Sequence, residues 1–471
     1  MKKKKRTAMT SQDKPREKLL QVGDPQKIST EELVSILLGH GTKKTNVFDL
    51  SRKVVEVLRE KADGTINVED LMQLDGIGEA KALQIISSLE VGRRYYKSHS
   101  SKKLSDEDWD FDGLKISERQ YGVHFFHHYT AKFIPQIPAK LIRHFSKGND
   151  IVVDPFMGSG TTLVEAKVLG CHSYGLDTNP LAIKIAKAKT MLVDEKIVDE
   201  IDRFLDWIKS QSEDVKLDSL DEKKIALFDT SHLWFRNDVA YKIRAILDEL
   251  KNYSLDVQNF VEIGLSDLLK GMSNARMDSV SPVLPDDPIY IDRKHYYRRV
   301  DNLTRQIPVF RRLCSQLRAM RLAILKFNKE TDRRLTCKPI LTDARALSSF
   351  VKQCNLVITS PPYWSAQNYE NLHMLSFKLF GLKTENGAEI GRNGSGYLED
   401  MKNVFAQIAQ ILTGYFALVI GEDDKNRQNE KLFKTAMEMG FVPVDTVVRR
   451  ISNQTSNAKQ IKNEFIYIFK L

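Results

Sequence analysis

Cysteine is scarce in this chain of 471 residues, and several other features are absent. The four cysteines are scattered without a CxxC pair, which argues against a zinc site or disulfide framework and for a reducing compartment. No apolar run approaches membrane-spanning length, and the basic residues 1–6 have no apolar segment behind them. We therefore expect a cytoplasmic protein with no membrane partner, no signal peptide and no bound metal.

The size and charge of the chain set the next expectations. Its length exceeds what a single core usually organises, so two or more domains are expected. A hydrophobic content of 42% is sufficient for globular packing, and the net charge of +10 favours a polyanionic partner. Residues 1–14 are rich in lysine and are predicted to be a flexible basic tail.

Residues 15–97 have the pattern of a small all-α domain. Apolar residues follow helical spacing in several short segments, and Gly76-Ile77-Gly78 precedes a further helix that carries Lys81. Glycines on both sides of one apolar residue make a tight turn, and the unpaired amides at the start of the next helix favour an anion. Gly76, Gly78 and Lys81 are therefore candidate phosphate contacts, although a purely structural turn is the alternative.

This turn resembles the helix-hairpin-helix motif, which grips a nucleic-acid phosphate without reading sequence. Together with residues 15–20, 32–38 and 90–94, it makes the block similar to the N-terminal domain of RadC-type proteins. The resemblance implies that this domain binds DNA. The polar and charged residues 98–117 follow and are predicted to be a linker.

The remaining residues, 118–471, open with a nucleotide-binding pattern. A buried strand at residues 151–153 runs into DPFMGSGTT at residues 154–162, and a helix follows. The loop is neither GxGxxG nor a phosphate loop, but its glycines allow close backbone approach to a ligand. Asp177 ends the next strand, about 20 residues further on, where an acid accepts the two hydroxyls of a ribose.

A second loop has a different chemistry. The apolar strand at residues 354–358 ends in TSPPYW at residues 359–364, where two prolines stiffen the backbone and two aromatic side chains follow. In an open α/β sheet this end of a strand is where ligands bind. A hydroxyl, a prolyl carbonyl and an aromatic face suit a flat ring that carries an amino group.

These two loops resemble motifs I and IV of the exocyclic-amino DNA methyltransferases, and Asp177 and Asp343 resemble the acids of motifs II and III. The resemblance implies a Rossmann-like class I methyltransferase sheet with helices on both faces, S-adenosylmethionine as cofactor, and DNA as partner. Its implied cofactor-binding residues are Asp154, Phe156, Gly158, Ser159, Gly160, Thr161, Thr162, Asp177 and Asp343. Its implied catalytic residues are Ser360, Pro361, Pro362 and Tyr363.

Residues 192–334 interrupt the sheet pattern and are predicted to be a mostly helical insertion. Within it, residues 293–299 alternate basic and aromatic side chains, a pattern of phosphate and base contacts or, equally, of a solvated helix face. An insertion at this place is a candidate for target recognition, without any recognised sequence assigned.

The expected reaction is site-specific methyl transfer to the exocyclic amine of a flipped DNA base. The TSPPY form resembles the cytosine-N4 branch, with adenine N6 as the alternative. An RNA or protein-glutamine methyltransferase and a non-catalytic DNA-binding module are further alternatives. A cognate restriction endonuclease is left open, and the sequence predicts neither the recognition site nor the oligomeric state.

Overall fold

The structure is a computed structural model that divides into two compact units, Met1–Lys103 and Leu104–Leu471. The predicted basic tail, the basic-aromatic residues 293–299 and Trp364 lie outside the described residues. The described residues are 15–22, 28–42, 45–60, 66–99, 104–111, 114–130, 133–215, 226–276, 279–284, 307–363, 369–384, 390, 396–422, 427–450 and 463–471.

The elements are numbered here in chain order. The α-helices are α1 (Pro15–Val22), α2 (Thr30–Leu38), α3 (Val47–Glu60), α4 (Val68–Met72), α5 (Glu79–His99), α6 (Ile116–Arg119), α7 (Gln136–Phe145), α8 (Thr161–Val168), α9 (Pro180–Thr190), α10 (Glu195–Ser210), α11 (Ser231–Trp234), α12 (Asn237–Leu250), α13 (Leu255–Met272), α14 (Val309–Glu330), α15 (Leu347–Phe350), α16 (Tyr369–Leu372), α17 (Met374–Phe380), α18 (Tyr397–Ile411) and α19 (Gln428–Glu438). The strands are β1 (Ile151–Asp154), β2 (His172–Asp177), β3 (Cys337–Leu341), β4 (Cys354–Thr359), β5 (Leu412–Gly421), β6 (Val442–Arg450) and β7 (Asn463–Lys470).

The first unit is helical, from α1 to α5. Helix α2 begins with a capping box, in which the Ser29 side chain accepts from the Glu32 amide while the Glu32 carboxylate accepts from the Ser29 amide. The apolar faces of α2 to α5 pack into one core that also buries Ile77 of the hairpin. The all-α character expected of this segment is therefore present in the described residues.

The second unit is built on one sheet whose described strands have the order β3-β2-β1-β4-β5-β7-β6. Strands β1 to β5 run parallel, and β7 lies antiparallel between β5 and β6. The first part of this order is that of a doubly wound sheet, with its switch point between β1 and β4. The predicted α/β class is confirmed.

Alternate residues of the strands point into two separate cores. On one face, Val153 of β1 and Phe416 of β5 pack against α18 and α19. On the other face, Val152 and Ala417 pack against α7. Because side chains alternate along a strand, helices on both faces explain why these strands are apolar at successive positions.

The segment predicted to be a linker differs from the prediction. Residues from Leu104 onward belong to the second unit, where the Trp109 ring is 2% exposed and the Nε1 of Trp109 donates to the Leu104 carbonyl at 2.8 Å. The Lys140 ammonium lies 4.4 Å from the centre of the same ring. The charged composition of this segment concealed the contact, because a single tryptophan gives no periodic pattern.

The insertion forms a helical layer of its own in the described residues. Helices α10, α12, α13 and α14 bury their apolar faces together and continue onto α9 of the sheet domain. The predicted mostly helical character is present in residues 192–215, 226–276 and 307–334. Across the part of the chain that the structure describes, none of the helices has the length and apolar character needed to cross a membrane.

Candidate active site

The carboxyl ends of four neighbouring parallel strands meet at one edge of the sheet. Asp154 ends β1, Asp177 ends β2, Asp343 follows β3 by two residues, and Ser360 follows β4 directly. The strand order reverses between β1 and β4, which opens a crevice at this point in such sheets. The structure therefore brings the two predicted loops to the same place.

The Asp154 carboxylate connects the two loops directly. Its Oδ1 accepts from the Thr359 hydroxyl at 2.8 Å and the Phe156 amide at 3.1 Å, and its Oδ2 accepts from the Thr162 hydroxyl at 2.7 Å. Asp154 is 1% exposed and Thr162 is fully buried. The sequence predicted both as cofactor-binding residues, but the structure places their side chains beneath the loop, where they support it.

Burial changes the acidity of this group. Loss of water raises the pKa of the Asp154 carboxyl to about 6, and the hydrogen bonds from Thr162, Thr359 and Phe156 oppose that rise. The charged form is retained near neutral pH because three donors replace water around it. An ionised carboxylate at this position therefore depends on these three hydrogen-bond donors.

The glycine loop is fixed from two sides. The Gly158 amide donates to Asp177 Oδ2 at 2.9 Å, and the Asn179 amide donates to Asp177 Oδ1 at 2.8 Å. Gly158 has φ +47°, and a Cβ there would lie 3.3 Å from the ring of Tyr129. Gly160 has φ +77°, and a Cβ there would lie 2.8 Å from that of Ala186. Both positions therefore need glycine.

Other groups around this loop have supporting contacts. The ammonium of Lys189, which is fully buried, donates to the Ser159 carbonyl at 3.1 Å, and the Asn179 side chain donates to the Tyr129 hydroxyl at 3.1 Å. The Ser159 hydroxyl is buried without a hydrogen-bond partner. Phe156 is half-buried against the core, and Thr161 is 3% exposed in the first turn of α8.

The remaining acid, Asp343, is engaged by a neighbour. Its two oxygens accept from the Arg345 guanidinium at 2.9 and 2.6 Å, and Oδ1 also accepts from the Arg345 amide at 2.7 Å. The same guanidinium donates to Asp400 of α18 at 2.7 Å, and these two carboxylates raise the pKa of Arg345. The predicted adenine contact at Asp343 would therefore be made by a carboxylate whose orientation Arg345 sets.

The Ser-Pro-Pro-Tyr loop, which the sequence predicted to be catalytic, leaves the end of β4. Ser360 and Tyr363 are half-buried, Pro361 is buried, and the Tyr363 ring packs against the core beneath α18. The carbonyl of Pro362 accepts from the Tyr397 hydroxyl at 2.8 Å and from Gln428 Nε2 at 3.0 Å. The loop is therefore fixed by side chains from two distant segments.

The paired histidines near the start of this unit bond to the insertion. His127 Nε2 lies 2.9 Å from the Ser266 hydroxyl, and His128 Nδ1 lies 2.8 Å from the Asp267 carboxylate. Burial lowers the pKa of His127 to about 3, so this imidazole is neutral. No group of three or more His, Cys, Asp or Glu side chains suited to a metal ion occurs among the described residues.

In the first unit the two hairpin glycines differ. Gly76 has φ +102°, and a Cβ there would lie 2.6 Å from the Thr42 side chain, whereas a Cβ at Gly78 would meet nothing within 4 Å. The Lys81 ammonium donates to the His40 carbonyl at 2.8 Å. This contact uses one of three ammonium donors, so the lysine has a structural role beside the predicted phosphate contact.

Sequence reasoning missed several groups that shape the site. Thr359 is the first residue of the TSPPYW hexapeptide, but nothing in the sequence indicated that its side chain would be buried and bonded to Asp154. Lys189, Tyr397 and Gln428 lie outside every recognised motif, on helices whose patterns indicate only an ordinary amphipathic or buried element. Only the folded chain brings them to the two loops.

The strand order and the glycine loop define a Rossmann-like methyltransferase fold, as predicted, preceded by a small helical domain. Residues 7–83 match the family described as UPF0758 N-terminal. A UPF0758 protein of Aquifex aeolicus is 36% identical over 109 residues, which is 23% of this chain and 46% of that protein.

The larger part of the chain has its own relatives. The type II methyltransferase M.MjaII of Methanocaldococcus jannaschii is 24% identical over 498 residues, covering 86% of this chain and 93% of that protein. The type II methyltransferase M.MvaI of Kocuria varians is 27% identical over 186 residues, covering 37% and 40% respectively. These matches confirm the resemblance seen in the sequence.

Among solved structures, TrmN from Thermus thermophilus aligns with 72% of this chain and 49% of that chain. The identity is 13% and the TM-score is 0.24.

Asp154→Asn should change how stability depends on pH. Because folding raises the pKa of Asp154, proton binding to this carboxyl stabilises the folded wild type. This stabilisation is fully present below the ordinary pKa of 3.8 and is lost as the pH rises through about 6. Relative to the variant, the wild type should therefore gain about 2 kcal/mol between pH 7 and pH 4. Urea unfolding of the wild type and the variant across this pH range measures the difference in the free energy of unfolding, and Asp150→Asn is the control. Parallel profiles for wild type and Asp154→Asn would contradict the assignment.

Proposed function

We propose that this protein is an S-adenosylmethionine-dependent DNA methyltransferase that modifies an exocyclic amino group, with cytosine N4 as its target. The observation that carries the proposal is the pair of hydroxyl bonds at Asp154, from Thr162 of the cofactor loop and Thr359 beside Ser360. They join a glycine loop and a Ser-Pro-Pro-Tyr loop at one switch point. The similarity to two type II methyltransferases supports methyl transfer.

The residues present fit the proposed cofactor. The glycine loop follows β1 at the switch point, its Gly158 amide is bonded to the Asp177 carboxylate, and Asp177 stands at the adjacent strand end. A carboxylate oxygen accepts more than one hydrogen bond, so the amide contacts of Asp177 are compatible with ribose hydroxyls on the same group. Asp343 would accept from the adenine amine. When bound, S-adenosylmethionine supplies a methyl group activated by its sulfonium.

The chain's own contribution is to position and polarise the target amine. The lone pair of an exocyclic amine is delocalised into its ring, which makes it a poor nucleophile. Acceptors on both amino hydrogens favour a more tetrahedral nitrogen and stabilise its developing positive charge. We assign this role to the Ser360 hydroxyl and the Pro361 carbonyl, with Tyr363 stacking on a base that has left the duplex. The remaining acceleration comes from positioning.

DNA as the substrate is supported by the first unit. Its hairpin places the start of α5 beside Gly78, where a side chain would meet open space. Backbone amides at the start of a helix bind phosphate, and such contacts do not depend on base sequence. We propose that this unit adds sequence-independent affinity. Together with Ser360, this unit favours DNA over the substrates of an RNA or protein-glutamine methyltransferase.

The choice between cytosine and adenine rests on Ser360. A serine hydroxyl is short, uncharged and able both to donate and to accept, whereas adenine enzymes more often have Asp or Asn at this position. A catalytically silent DNA-binding module is the other alternative. The two loops joined at Asp154 favour an enzyme, because a binding module would have no need to join them.

The modified base can be identified directly. Unmethylated genomic DNA treated with the protein and labelled cofactor should yield N4-methylcytosine on nucleoside mass spectrometry. Tyr363→Ala should slow transfer by about ten- to a hundredfold, since stacking is worth ~1–3 kcal/mol per base, and Tyr363→Phe should retain most of the rate. Label in N6-methyladenine would move the target to adenine. Label in 5-methylcytosine would exclude the mechanism, which has no cysteine nucleophile.

The ribose contact can be tested by calorimetry with S-adenosylmethionine. Asp177→Ala should weaken binding about a hundredfold, because two hydrogen bonds to a charged acceptor are lost. Asp332→Ala is a matched control, since both carboxylates accept from the amide two residues further on. Equal affinity in the two variants would remove Asp177 from the cofactor site.

The hairpin can be tested without disturbing its fold. Gly78→Asp places a carboxylate at the cap position of α5, where aspartate is favoured, so the thermal midpoint should not fall. The same charge should repel phosphate, so affinity for every DNA sequence and its salt dependence should both decrease. Gly148→Asp makes the same change at an open glycine in the other unit. Unchanged DNA affinity in Gly78→Asp would overturn the phosphate contact.

A further inference from the structure

Two side chains outside the recognised motifs converge on the carbonyl that ends the double proline. We propose that Tyr397 and Gln428 are positioning residues, which fix the ψ torsion of Pro362 in the Ser-Pro-Pro-Tyr loop and so aim Tyr363 at the target base. This inference rests on the proposed function and adds to it the residues that orient the loop.

The torsions of this loop are restricted one after another. Proline rings lock φ at Pro361 and Pro362, and a following proline restricts ψ at Ser360 and Pro361. The ψ of Pro362 has neither restriction, because Tyr363 follows it. This torsion sets both the direction of the Pro362 carbonyl and the place where the Tyr363 ring lies. Bonds to that carbonyl therefore set the orientation of the stacking surface.

The three polar groups form a closed triangle. The Tyr397 hydroxyl donates to the Pro362 carbonyl at 2.8 Å, and Gln428 Nε2 donates to that carbonyl at 3.0 Å and to the Tyr397 oxygen at 2.6 Å. Each donated hydrogen has its own acceptor lone pair within this set, since an amide nitrogen has two hydrogens and a carbonyl oxygen has two lone pairs. The geometry thus directs two donors at one oxygen.

The triangle is shielded from water. Tyr397 is 1% exposed and Gln428 is fully buried. Burial raises the pKa of Tyr397, so its hydroxyl remains protonated and continues to donate. Hydrogen bonds in such surroundings are stronger than in water, and loss of one leaves a buried polar group unpaired. The carbonyl is consequently restrained more firmly than by a contact at the surface.

The two donors come from separate elements that are themselves anchored. Tyr397 is the first residue of α18, and its helix packs Met401 and Phe405 into the core of the sheet. Gln428 is the first residue of α19, which follows β5. A loop bonded to both helices cannot rotate at Pro362 without breaking contacts to both. This arrangement is what positioning by a rigid framework requires.

The test is single-turnover transfer of labelled methyl to unmethylated genomic DNA by Tyr397→Phe and Gln428→Met. Each variant removes donors while leaving bulk in the core. The rate of transfer should fall about ten- to a hundredfold, while affinity for S-adenosylmethionine stays within about twofold of wild type. The double variant should be scarcely slower than either single one, because both act on one carbonyl.

Tyr253→Phe and Gln407→Met are matched controls. They remove a tyrosine hydroxyl bonded to Glu249 and a glutamine amide bonded to Ser348, both away from the loop. Variant rates equal to those of these controls would overturn the inference, as would a loss of cofactor affinity in proportion to the rate. If the wild type transfers no methyl to DNA, the proposed function fails and the inference with it. If the wild type transfers methyl to DNA and the Tyr397 and Gln428 variants do so at the same rate, the inference fails while the proposed function stands.

Discussion

The hydrogen bonds at the Asp154 carboxylate are the interaction on which the rest of the site depends. A carboxylate buried without partners would be neutralised or would destabilise the fold. Here Thr359 and Thr162 contribute hydroxyls from the catalytic strand and from the helix of the glycine loop. The requirement to satisfy one buried charge therefore sets the separation of the two loops, which lie far apart in sequence.

A second constraint follows from the chemistry proposed. An exocyclic amine is weakly nucleophilic, and no side chain of the catalytic loop forms a covalent intermediate, so acceleration depends on where groups are placed. Both loops accordingly have little freedom: Gly158 is fixed through Asp177 and Tyr129, and Pro362 through its carbonyl. In each case the fixing group comes from another segment of the chain.

The sequence could predict the sheet and most helices because their signals are local. Apolar strands such as β1 and β5 face two cores, and their boundaries follow from continuous apolar runs. β6 extends to Arg450, past its last apolar residue, because pairing with β7 continues through polar residues. The docked Trp109 and the donor Gln428 could not be predicted, since their partners are set by tertiary contacts that leave no periodic pattern.

Motif residues divide into two physical classes, and burial separates them. In the glycine loop, Asp154 and Thr162 are enclosed by protein, while Gly158 is half-buried. In the hairpin, Gly76 is required by its positive φ and by Thr42, while Gly78 faces open space. A motif match cannot distinguish a residue that supports a loop from one that leaves room for a ligand, because the same short sequence motif contains both. The space around each position makes that distinction, because a residue enclosed by protein supports the fold and an uncovered one leaves room for a ligand.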